Sequence, residues 1–76
     1  MVKIPALTAK KVIKVLKRIG FLEDRQKGSH LILFNSKTNT RTVVPVHAGK
    51  TLKKPLVRAI INDTKLTVKE FVELLK

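Results

Sequence analysis

Within TAKKVIKVLKRI, residues 8–19, the apolar residues Val12, Val15, Leu16 and Ile19 recur at i, i+3, i+4 and i+7. That spacing lines one face of an α-helix. Lys10, Lys11, Lys14, Lys17 and Arg18 fall on the other side. Thr8 supplies an N-cap oxygen, and Gly20 suits the position just past the last turn. The pattern then changes period. FLEDRQK, residues 21–27, predicts a short strand; Gly28 and Ser29 interrupt it, and Leu31 to Asn35 predict a second. SKTNT, residues 36–40, is turn chemistry. Arg41 to Val46 predicts a third strand, rich in β-branched residues. Pro45 cannot donate to a ladder, so it belongs near an end or on an edge.

Helical spacing returns after a loop opened by His47, Ala48 and Gly49. Pro55 suits a first helical turn. Leu56, Val57, Ile60 and Ile61 make the apolar face, and Asn62 and Asp63 are expected to end the helix. Thr67 with Glu70 is a capping-box pattern, followed by a last stripe of Val68, Phe71, Val72 and Leu75. The order α–β–β–β–α–α predicts an α+β fold: a three-stranded antiparallel sheet with helices on one face and the other face open. The three phenylalanines, Phe21, Phe34 and Phe71, are expected in the core. At 76 residues the chain is a single domain, 1–76, with no room for an enclosed substrate chamber.

Charge changes the picture most. Seventeen Lys and Arg stand against five acids, a formal net charge of +12. Such a field draws polyanions, nucleic acid first and an acidic protein second. There is no cysteine, which excludes disulfides and thiolate metal sites. No apolar run approaches a membrane span, and the N-terminal MVKIPALTAKK has no hydrophobic signal core. A cytoplasmic protein is expected, with no membrane partner.

Two histidines and five scattered acids have no metal-ligand spacing, and no cofactor is implied. Glu23 and Asp24 are adjacent, so on a strand they face opposite ways. Ser29 abuts His30, and adjacency separates a nucleophile from its base. Gly28 and Gly49 belong to no phosphate-binding loop signature. What is left is histidine with cations. RNA carries its own nucleophile, the 2′-hydroxyl, so an imidazole that moves its proton, beside cations that stabilise the charged phosphorane, suffices for cleavage. His30 and His47 are the candidates for that role. Gly28 allows a close approach or a bulge that aims its neighbours. Strand alternation puts His30, Ile32 and Phe34 on one face and Ser29, Leu31 and Leu33 on the other. Both sets are apolar, so alternation alone leaves His30 either at the rim or partly inside. Lys50, Lys53, Lys54 and Arg58 cluster at the start of the second helix and are the better phosphate-binding group. The lysine face of the first helix is read as solvated.

Three stretches, GF…RQKGSHLIL, TVVPVHAGKTLKKPLVRAII and LTVKEFVELL, together resemble the HicA toxin family of bacteria and archaea. The likeness spans nearly the whole chain. It implies a fold similar to a double-stranded-RNA-binding domain with an extra C-terminal helix. It also implies an mRNA interferase, an endoribonuclease that blocks translation, partnered by a HicB-like antitoxin that covers the active site. The family's catalytic histidine lies in Gly-Ser-His, which corresponds to His30, flanked by Gly28 and Ser29. His47 corresponds to a second recurrent histidine. The chain departs from the family at Pro55 and in NDTKLT, residues 62–67, where glycines are common.

The expected function is therefore a metal-independent endoribonuclease toxin, with His30 catalytic. Arg25, Lys27, Gly28, Ser29, His47, Lys50, Lys53, Lys54 and Arg58 are its RNA contacts. A non-catalytic RNA-binding module and a basic domain that docks an acidic protein are the rivals.

Overall fold

The computed structural model describes residues 3–47 and 49–76; Ala48 of the loop and the first two residues of the N-terminal segment lie outside the described residues. The elements run α1 (Ala9–Arg18), β1 (Leu22–Lys27), β2 (His30–Asn35), β3 (Thr40–Pro45), α2 (Lys54–Thr64) and α3 (Val68–Glu73). The sheet is antiparallel in the order β1-β2-β3, so the meander is as expected and Pro45 sits on an edge strand, at its end.

Helix α1 is capped by Thr8, whose Oγ1 accepts from the Lys11 N–H at 3.4 Å. Its stripe of Val12, Val15 and Leu16 is buried with Phe21, Leu33, Val44, Ile60, Ile61 and Phe71 in one core. Burying that much apolar surface supplies most of the drive to fold. The core lies between the helices and one sheet face. Leu31, Leu33, Thr42 and Val44 point into it, and Ile32, Val43 and Phe34 point away.

Two polar groups inside this layer are satisfied and fix its geometry. Thr42 Oγ1 donates to Asp63 Oδ2 at 3.0 Å, fastening α2 to β3. The buried Asn35 donates Nδ2 to the Ile19 carbonyl at 3.1 Å and accepts the Lys37 N–H at 3.0 Å. Gly20 makes room for it: φ there is +108°, and a Cβ would stand 3.2 Å from Asn35 Nδ2.

Two expectations are corrected. Helix α2 runs past Asn62 and Asp63 to Thr64 and stops at Lys65, which takes the left-handed conformation at φ 65°. Thr64 shares the stop: its hydroxyl donates to the Ile61 carbonyl and accepts the Leu66 N–H at 3.2 Å. Phe21 and Phe71 are core, but Phe34 is only half-buried, on the open face, with the Arg41 guanidinium 5.4 Å from its ring centre. The open face is otherwise as expected. Leu22 and Val43, 71% and 41% exposed, both stand on it.

Candidate functional site

The β1–β2 hairpin carries the Gly-Ser-His triplet. Lys27 pairs with His30, so the connection is the two residues Gly28 and Ser29. Gly28 has φ 56° and no neighbour within 4 Å of a built Cβ. Glycine at the first of two turn positions with positive φ is the pattern of a type II′ hairpin. Gly28 is therefore set by backbone conformation and not by crowding. The bulge considered there lies instead in β1, where the register shifts between Glu23 and Arg25. Strand alternation still sends the two adjacent acids to opposite faces, as expected. Glu23 pairs with Lys17 on the helix side, and Asp24 meets Arg41 at 3.7 Å across the sheet.

The triplet is tied down from below. Val46 donates its N–H to the Ser29 carbonyl at 2.6 Å, and Gln26 Nε2 donates to the Gly28 carbonyl at 3.1 Å. His30 then opens β2 with its side chain exposed, Cα-paired to Lys27 on one side and Pro45 on the other. It shares the outer face with Ile32 and Phe34, so the alternation left open by the sequence resolves in favour of water. Among the described residues, no protein group hydrogen-bonds the ring. Arg25, Lys27 and Arg41 rim a shallow hollow of about 200 Å³ with Ile32 and Asp24 on the same face. Arg41 was not among the expected contacts. Its only signal in the sequence is its place on the strand that follows the 36–40 turn.

The remaining cations approach from the other elements at this end of the molecule. Leu52 donates its N–H to the Leu7 carbonyl at 2.7 Å, and Thr51 bridges Thr8, so the segment leading into α2 lies against the start of α1. Lys50, Lys53, Lys54 and Arg58 are all exposed there. Lys53 is the N-cap of α2 yet makes no side-chain cap, and Pro55 occupies the first turn. Pro55 has no N–H, but the Lys54 and Leu56 N–H groups of this first turn keep their capacity for an anion. No acid sits in that turn to compete.

His47 is exposed but does not join the hairpin's outer face. It lines, with Val46 and Gly49, a groove of about 830 Å³ against α1. The α1 side of that groove is Lys10, Ile13, Lys14 and Lys17. These lysines are exposed, as a solvated face would be, and Ile13 lies half-buried among them, off the buried stripe. No three His, Cys, Asp or Glu side chains cluster as a metal site among the described residues. No helix is long and apolar enough to cross a membrane.

The site thus has an exposed imidazole at a fixed hairpin, with Arg25, Lys27 and Arg41 on the same sheet face, and further cationic surfaces at the loop into α2 and along α1. Such an arrangement can hold phosphates and move a proton at a ribose. The family model for the HicA toxin of bacterial toxin-antitoxin matches residues 9–66. No curated protein matches the chain.

Proposed function

The chain belongs to the HicA toxin family and is the toxin of a toxin–antitoxin system; from that premise we propose that it is a metal-independent endoribonuclease that cuts mRNA with His30. The observation that carries this reading is the exposed His30 ring at the mouth of β2, beside Lys27. In the proposed reaction His30 takes the proton of a ribose 2′-hydroxyl as that oxygen attacks the adjacent phosphorus. The phosphorane's extra negative charge develops where Lys27 and Arg25 can stabilise it. The bond from phosphorus to the 5′-oxygen breaks, and that oxygen takes up a proton. The products are a 2′,3′-cyclic phosphate and a 5′-hydroxyl, with no water consumed and no metal required. Lys50, Lys53, Lys54, Arg58 and the α2 N-terminus hold flanking phosphates, supported by the uncapped first turn.

A HicB-like antitoxin would silence the protein by covering His30. The open sheet face supports that docking: it exposes Leu22 and Val43 on its two edge strands and carries the cations Arg25, Lys27 and Arg41. The test is cleavage of mixed RNA by purified protein in EDTA, compared with His30→Ala. The variant should fold and lose at least a hundredfold in cleavage rate, the scale of one general acid–base group. Cutting at the wild-type rate by the variant would refute the mechanism and leave the RNA-binding module.

A further inference from the structure

Three features set the groove along α1 apart from a solvated lysine face. First, its floor is apolar: Ala9 is buried, and Ile13 and Val46 are half-buried. Second, Lys10 and Lys14 line it with no carboxylate within ion-pair distance among the described residues, whereas Lys17 is taken up by Glu23 at the far end. Third, its near end is His47, one residue past the bond from Val46 to Ser29, so it begins where the Gly-Ser-His hairpin is anchored.

We infer that this groove seats an unpaired RNA strand flanking the cut bond, with Lys10 and Lys14 on successive phosphates and Ile13 and Val46 under a base or ribose. The inference rests on the ribonuclease reading for the identity of the ligand. Lys10 and Lys14 are four apart on one helix, so their Cβ atoms lie about 5–6 Å from each other. Neighbouring phosphates of one strand can be met by such a pair. The apolar floor selects the unpaired form, because a duplex hides its base faces and offers only ribose, phosphate and groove edges. The chemistry agrees: in-line attack requires the 2′-oxygen to swing behind the phosphorus, a motion that A-form stacking opposes. Among the described residues no Phe, Tyr or Trp lines the groove and His47 is the one ring, at its near end, so stacking there does not discriminate among bases and binding is tolerant of sequence.

The test uses the full chain carrying His30→Ala, so that binding is read without cutting. The probe is a fluorescein-labelled, mixed-sequence 20-nucleotide single-stranded RNA, followed by anisotropy across a salt series. Lys10→Glu with Lys14→Glu should weaken binding at least tenfold and make the slope of log K against log salt shallower by ~1.4, that is ~0.7 per lost phosphate. Lys37→Glu with Lys69→Glu, the same charge change on distant surface, should cost less than threefold. Circular dichroism melting checks that both pairs fold. Equal losses for the two pairs, no loss for the groove pair, or equally tight binding of a duplex of the same sequence would each overturn the assignment. Wild-type protein that fails to cut RNA, while the groove pair still releases the probe, would remove the nuclease reading and leave the groove assignment standing.

Discussion

Strand register sends Leu31 and Leu33 into the core and leaves His30, with the same parity as Ile32 and Phe34, in water. A slip of one residue would exchange the two sets. It is opposed by the buried Asn35, whose side chain is bonded to Ile19 and Lys37, and by the Gly28–Ser29 turn. Gly28 therefore matters through its positive φ. Gly28→Ala would meet no neighbour, yet would force an L-residue into the left-handed region at a cost of roughly 1–2 kcal/mol. Urea unfolding should show that loss, and cleavage should fall further than stability does because the turn aims His30. Unchanged unfolding and cleavage in the variant would mean that the turn relaxes freely and does not set the imidazole. The sequence made the triplet visible but not its face, since Leu31 to Phe34 are apolar on both sides. Only the helices, packed on one side, distinguish them.

Helix ends show how far local chemistry is legible. The capping box expected at Thr67 and Glu70 is formed: Glu70 N–H donates to Thr67 Oγ1 at 3.1 Å, and Thr67 N–H to Glu70 Oε1 at 2.9 Å. The end of α2 was misplaced because no glycine marks it; Lys65 takes the left-handed cap at some strain, helped by Thr64. The consequence of the capping box is measurable. The Thr67 backbone N–H, with its side chain in support, holds the Glu70 carboxyl below its ordinary range. A carboxyl lowered in the folded state contributes stability above its unfolded pKa and loses it as pH falls through the folded value. Stability supplied by this pair should therefore be complete at neutral pH and decline in acid. Thr67→Ala should cost about 1 kcal/mol for the lost N-cap oxygen, whereas Glu70→Gln, which removes the charge, should destabilise at neutral pH and less so in acid. Hydrogen exchange in residues 68–73 reads it locally; a cost independent of pH would detach Glu70 from the cap. Arg18 secures the same helix from α1, donating Nη1 to the Leu74 carbonyl at 2.9 Å, so this cation serves the fold and not the site. The helical period could place Arg18 among the lysines of α1 but could not tell it from them. Its partner lies 56 residues away.

For the molecule as a whole, net charge was legible from composition, whereas its convergence was not. Arg25 and Lys27 come from β1, Lys10 and Lys14 from α1, and Lys50 to Arg58 from the run into α2. Their relative placement depends on loop contacts: Leu52 bonds Leu7, laying the run into α2 against α1, and Val46 bonds Ser29 of the hairpin. Periodicity cannot reveal such loop contacts. Convergence and bulk charge predict different salt behaviour. Eight cations acting together on a single strand would give a slope of log K against log salt of about −5.6, at ~0.7 per phosphate contact. Neutralising any one of them should then reduce the slope by a similar fraction, while neutralising Lys37 or Lys69 should leave it in place. Anisotropy titrations of His30→Ala protein from low to physiological salt provide the measurement. A slope shallower than about −2 would mean that only two or three phosphates are engaged. The cations would then be a source of encounter rate and solubility, and the basic surfaces of β1, α1 and the run into α2 would have no joint role in holding RNA.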